Sequence, residues 1–196
     1  ARERRMTKAV GKTPESTALR SRMVGGLRAE DAGSKETIAG WVHRRRDLGG
    51  LLFVDVRDRS GLIQVSFGPD WSSAAALERA RKLGSEDVVL VEGEVALRPP
   101  GSENRDLATG AVEFRAHELH LLNAAATPAI PVYYSAEEDL PAEELRLRHR
   151  HLDLRRPELQ KNLTLRHKLV LETRNYFDRM GFLEVETPIL TKTTPE

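Results

Sequence analysis

No cysteine occurs anywhere in the 196-residue chain. Disulfides, thiolate metal sites and cysteine nucleophiles are excluded, and a reducing, cytoplasmic setting fits. An excess of charge is missing too. Lys and Arg number 31 against 30 Asp and Glu, a formal net charge of +1. No global field attracts nucleic acid, so any basic footprint has to be local. No apolar run approaches the roughly 20 residues that span a bilayer, and the N-terminus has no apolar signal core. The histidines show no ligand spacing with carboxylates, so no metal site is expected. Neither a Ser-His-Asp set, a phosphate-binding glycine loop, an internal repeat nor a low-complexity segment is visible. What remains is 39% hydrophobic and 31% charged. That is a soluble globular composition with a real core, long enough for one large domain or one domain plus part of another.

The chain is organised around GWVHRRRDLGGLLFVDVRDRSGLIQVSF, residues 40–67. Apolar and polar residues alternate in three short runs, punctuated by Gly49-Gly50 and Ser60-Gly61, which predicts a three-strand antiparallel meander. In the middle run Leu52, Val54 and Val56 share one face, and Phe53, Asp55 and Arg57 share the other. The third run turns Ile63, Val65 and Phe67 inward and Gln64 outward. An aromatic ring therefore stands among charges on the solvent face, with an amide and the Arg44–Arg46 cluster nearby. Arginine neutralises phosphate, a ring stacks a base and an amide reads a base edge, so the set suits single-stranded nucleic acid. The same pattern equally allows a loop of the domain to cover Phe53 and the arginines to be a solvated, aggregation-blocking edge.

Residues 1–20 lack periodicity and read as a disordered tail. Residues 22–31 read as a short helix or an extended entry segment. Strands are expected over residues 37–47, 87–97 and 111–122 besides the two central runs, with a capped helix over 74–83 closed by Gly84. On the fourth strand Val89, Val91, Val95 and Leu97 point inward and Glu92, Glu94 and Arg98 outward. On the fifth, the inward set runs Val112, Phe114, Ala116 and then Leu119, Leu121, a phase slip that predicts a bulge. Five short strands with one helix between the third and fourth match an all-β five-stranded Greek-key OB barrel, although another small barrel or an open sheet fits the spacing as well. The domains expected are the barrel over 21–124, a Pro-rich and acidic hinge over 125–142, and a separate region over 143–196. That region opens with a partly helical basic segment. A helix of roughly 23 residues follows, entered at Pro157 and stopped at Gly181, and then a strand over 182–188 with Leu183 and Val185 packed and Glu184 and Glu186 structural. The chain starts at Ala1 and stops in mid-loop, so it is expected to be a fragment of a larger α/β protein.

At GFLEVETPIL, residues 181–190, the pattern resembles motif 1 of class II aminoacyl-tRNA synthetases, a long helix followed by a strand ending in proline. A barrel, a hinge and motif 1 in that order is the arrangement of the subclass specific for aspartate, asparagine and lysine. Three segments are similar to the bacterial-type aspartyl-tRNA synthetase family. GWVHRRRDLGG (40–50) resembles its first strand, HLDLRRPE (151–158) its hinge-to-catalytic junction, and LTKTTPE (190–196) the start of its mobile active-site loop. The resemblance covers nearly everything from Arg22 onward.

It implies that Phe53 stacks on an anticodon base and that Gln64 reads the central uracil. Arg46, Asp47 and Arg98 align with further anticodon contacts. Glu196 aligns with a loop carboxylate that holds the amino group of bound aspartate, and Pro188 with a residue at the boundary of a homodimer. The implied partner is tRNA(Asp), and the full-length enzyme would use ATP and Mg2+ to activate aspartate before esterifying it to the tRNA. The motifs that bind ATP and magnesium have no counterpart in this sequence, so catalytic residues and bound cofactors are not expected in it. Two other readings stay open. One is a free-standing OB module for single-stranded nucleic acid, and the other is the related asparaginyl enzyme.

Overall fold

The computed structural model describes residues 16–132 and 139–190. Alternation is realised as five strands: β1 (Lys35–Leu48), β2 (Leu51–Asp58), β3 (Gly61–Phe67), β4 (Val88–Leu97) and β5 (Val112–Asn123). They close into a barrel in the order β1-β2-β3-β5-β4. All neighbours are antiparallel except β3 and β5, which meet in a short parallel seam at Val65–Phe114 and Ser66–Arg115. This is the five-stranded Greek-key OB architecture. Its interior holds the inward residues that alternation assigns: Leu52, Val54 and Val56, then Ile63, Val65 and Phe67, then Val89, Val91 and Val95, then Val112, Phe114, Ala116 and Leu119. Each large apolar side chain buried this way contributes about 1.5–3 kcal/mol.

Turn chemistry sets the register. Gly49 and Gly50 are the whole loop between β1 and β2, and both have positive φ, 65° and 112°. A two-residue hairpin of that kind needs the left-handed region at both positions. The expected slip on β5 is a real bulge, because Gly93 faces Ala116 while Glu92 faces Glu118, leaving His117 unpaired. A second bulge, at His43 of β1, lets Val42 and Arg44 face Val56 and Asp55. Gly93 is demanded by packing, since a Cβ there would stand 2.1 Å from the Arg115 carbonyl oxygen. Gly93→Ala is expected to cost about 1–2 kcal/mol by overpacking, checked by a shift of the urea midpoint without a change in slope.

Helix α1 (Ala74–Lys82) is capped by Ser73, whose Oγ accepts from the Ala76 amide at 3.1 Å. It buries Ala76 and Ala80 on the barrel. Its end differs from expectation. Leu83 is the C-cap in extended conformation, and the left-handed residue of the loop is Glu86, not Gly84. The entry segment is neither a full helix nor extended. It makes two single 3-10 turns, Val24–Gly26 and Ala29–Asp31.

The chain divides into two compact units, Ala1–Thr127 and Pro128–Glu196. The second contains α2 (Glu143–Arg148), α3 (Arg150–Asp153) and α4 (Pro157–Arg179). Asp153 is fully buried there, 2.8 Å from Arg156 Nε and 3.8 Å from Arg146 Nη1. Pro157 occupies the first turn of α4, where its missing N–H costs nothing, and Gly181, at φ 84°, follows the helix end. The expected strand over 182–188 does not form. A strand needs a neighbour for its N–H and C=O groups, and among the described residues none pairs with this segment. Leu183 and Val185 are accordingly 89% and 75% exposed, not packed. No helix among the described residues is long and apolar enough to cross a membrane.

Three barrel side chains depart from the simple alternation. Arg57 lies on the outer face yet is buried, because Glu86 folds over it and accepts two hydrogen bonds of 2.8 Å from Nη2. Leu97 and Leu121 sit at strand ends and are 55% and 47% exposed.

Candidate nucleic-acid interface

Paired residues on neighbouring strands carry side chains on the same face, so the register alone draws the outer surface. Arg46 faces Phe53, Phe53 faces Ser66, and Ser66 adjoins Arg115 across the parallel seam. One row thus runs Arg46–Phe53–Ser66–Arg115 over four strands. Beside it Arg44 faces Asp55 and Asp55 faces Gln64. Phe53 is partly exposed and outside the barrel, whose inward positions on β2 belong to Leu52, Val54 and Val56.

Arg46 ties the two rows together. Its Nη2 donates to both carboxylate oxygens of Asp55, at 2.9 and 3.1 Å, and to Gln64 Oε1 at 3.3 Å. A guanidinium can only donate, so it fixes the amide with Oε1 turned toward it and Nε2 turned away. The amide then presents its N–H donors on one side and one remaining acceptor lone pair on the other. Uracil offers the complementary N–H and carbonyl on its pairing edge, whereas cytosine offers the reverse.

Arg98 reaches the same region from the end of β4. Its Nε donates to the Val112 carbonyl at 2.9 Å and its Nη1 to the Ser102 carbonyl at 3.5 Å. Burial lowers its pKa, Glu113 and Asp55 oppose that shift, and Arg46 adds to it. The group is held in place by the two backbone carbonyls, and the nearby carboxylates of Glu113 and Asp55 favour its charged form.

Several polar atoms here are buried without a partner among the described residues: Arg46 Nε, Arg98 Nη2 and Ser66 Oγ. Buried donors are normally satisfied, and each one left open costs about 1–3 kcal/mol. All three lie beneath the same outer face of the barrel.

The structure therefore brings together Phe53, Gln64, Arg46 and Arg98. Asp47 is not in the set. It faces Leu52, so it projects from the other side of the sheet beside the glycine hairpin, exposed to solvent. Pro188 is exposed in the second unit, and Glu196 lies outside the described residues. Two members of the face escape sequence reasoning. Glu113, 7% exposed, lies 3.3 Å from Arg115 Nε, and Trp71 packs beneath the Arg115 guanidinium. The outward phase of Glu113 and Arg115 is readable from β5, but their place beside β3 depends on the parallel seam, which leaves no local signal. Among the described residues no group of three His, Asp or Glu side chains could hold a metal ion.

Comparison with known proteins follows the same division. Residues 36–122 match the family described as OB-fold nucleic acid binding domain, and residues 142–196 match tRNA synthetases class II (D, K and N). An aspartate–tRNA(Asp/Asn) ligase of Salinibacter ruber is 51% identical over 185 residues, covering 93% of this chain and 29% of the relative. One of Halothermothrix orenii is 47% identical over 178 residues, 90% of this chain and again 29% of the relative. The chain thus spans less than a third of the length of these curated relatives. Among solved structures, an asparaginyl-tRNA synthetase of Pyrococcus horikoshii in complex with asparaginyl-adenylate has a TM-score of 0.69 at 28% identity. It aligns over 85% of this chain and 36% of that one. An aspartyl-tRNA synthetase of Entamoeba histolytica has a TM-score of 0.78 at 16% identity, over 93% of this chain and 42% of that one, a likeness of fold.

Proposed function

We propose that the chain is part of a class II tRNA synthetase of the D, K and N group, which residues 142–196 match, and that its barrel, which matches the OB-fold nucleic acid binding domain, reads the anticodon of an aspartate-accepting tRNA. The observation that carries this is the locked amide. Arg46 holds Gln64 in one orientation beside the partly exposed ring of Phe53, which provides a base reader and a stacking platform on one face. Arg98 and Arg46 supply charge for the loop backbone. Asp47, at the hairpin, is left to contacts beyond the sheet face. The reading domain is residues 21–124, joined by the hinge of 125–142 to the start of the catalytic domain.

In the longer protein, aspartate would be activated with ATP and Mg2+ and transferred to the tRNA. Among the described residues no group of three His, Asp or Glu side chains could hold a metal ion, and no step is assigned to either cofactor. Glu196 would serve there as a substrate contact. The uncovered stripe of α4, with Leu163, Leu169 and Phe177 all more than 40% exposed, supports a homodimer through this helix and Pro188. A cytoplasmic location accords with cysteine-free composition.

The test is competition between anticodon stem-loops that differ only in the central base. The U-centred loop is expected to bind roughly tenfold tighter than the C-centred one, within the range of a good bidentate base contact. Gln64→Ala should erase that preference. Affinity should also fall linearly with the logarithm of salt. Equal binding of both loops by the unmodified chain would favour a free-standing OB module without a code. The asparaginyl reading shares the central uracil, and charging assays with the complete enzyme and each tRNA separate it.

A further inference from the structure

Trp71 is fixed in an unusual place. Its Nε1 donates to the Ser66 carbonyl at 3.1 Å, and its ring lies against Gly68, where a Cβ would stand 2.6 Å from Cη2 and Cζ2. The ring is thus anchored at both ends on the outer edge of β3. The Arg115 guanidinium sits over it, 5.3 Å from the ring centroid, and its Nε is paired with Glu113 at 3.3 Å. The Arg115 side chain nevertheless remains 45% exposed. Between this pair and Phe53 stands only Ser66, a small residue whose buried hydroxyl has no partner among the described residues.

We propose that Trp71 and Arg115 form a second base platform, taking the unpaired nucleotide next to the one stacked on Phe53. The proposal rests on the anticodon reading above and extends it by one subsite. Two inter-strand steps, about 10 Å, separate the platforms, a gap that two splayed neighbouring nucleotides bridge. A base is favoured over a phosphate because the charge of Arg115 is already engaged. Glu113 pairs with it, and Glu94 faces it from β4. A planar guanidinium neutralised at its edge and stacked on a ring keeps its free face for an aromatic base.

The experiment uses the chain carrying Trp41→Phe, which leaves Trp71 as its single tryptophan. Titration with the U-centred stem-loop should quench Trp71 fluorescence. Arg115→Leu should weaken binding about tenfold, the equivalent of one stacked base, with the U-over-C preference and the salt slope unchanged. Trp71→Phe should retain binding and Trp71→Leu lose it, with Arg115→Leu as the arm that leaves the anchored ring intact. If Arg115→Leu and Trp71→Leu bind like the unmodified chain while Phe53→Ala does not, the second platform is wrong and the anticodon reading stands. If Phe53→Ala also binds normally, the reading itself fails. A salt slope that falls by about one charge in Arg115→Leu would make the residue a phosphate contact and overturn the base platform.

Discussion

Phe53→Ala is expected to weaken binding of a U-centred anticodon stem-loop by about 1–3 kcal/mol, from roughly fivefold to more than a hundredfold. The range is set by what one base loses when its aromatic partner is removed. The ring is suited to this role because nothing in the fold needs it. The core on β2 is built from Leu52, Val54 and Val56, and Phe53 projects the other way between Arg46 and Ser66. Folding stability should therefore change far less than affinity, so a urea midpoint close to that of the unmodified chain is part of the expected result. The loss should be similar for U-centred and C-centred loops, because every base has a stacking face, and Gln64→Ala should differ by removing discrimination. Phe53→Tyr or Phe53→Trp should restore most of the affinity. Isothermal titration of the four variants separates the roles. Binding of Phe53→Ala at full affinity would leave the ring as a covered surface residue.

Much of this face was legible before any coordinates, because β-strand parity is a local property. One residue after another must change sides, so the outward positions of Phe53 and Gln64 and the bulge near His117 follow from the order of residues alone. What parity cannot give is who lies across a strand from whom when the partner is far away in the chain. The seam between β3 and β5 joins Ser66 to Arg115, and without it nothing ties the Glu113–Arg115 pair of β5 to Trp71 and Phe53. Alignment by resemblance has a different weakness. It carries Asp47 along with Arg46 as one run, although neighbours in a strand face opposite ways, and the register sets Asp47 against Leu52. The strand expected over 182–188 shows the same dependence on remote partners, since its alternation is sound but none of the described residues pairs with it.

Arg57 is where parity and burial part company, and it carries the largest expected effect on stability. Its outward direction on β2 is as alternation requires, yet its side chain is only 8% exposed, as is that of Glu86, which closes over it with two 2.8 Å contacts. Glu86 is held by its backbone, donating to the Val42 carbonyl at 2.7 Å, and takes a φ of 66°, rare for a residue with a Cβ. Both charges have left water, so their mutual attraction largely offsets a desolvation cost, and removing one leaves the other uncompensated. Glu86→Ala is expected to cost about 3–5 kcal/mol, a third or more of the stability of an ordinary domain. The melting temperature should fall by about 4–8 °C for each kcal/mol. The paired replacement Arg57→Met with Glu86→Leu should recover most of the loss, because it removes the buried charges together. The measurement belongs above pH 6.5. Burial, and then the Arg57 guanidinium, depress the pKa of the nearby His43 below that ordinary value, so its neutral form stabilises the fold above 6.5 and that contribution is lost as pH falls through the depressed pKa. Well above 6.5 His43 is neutral in both the folded and the unfolded chain, and the double-mutant cycle reports on the ion pair. A single-variant cost below about 1 kcal/mol would mean that water reaches the pair, and that Glu86 merely caps the barrel end instead of clamping it.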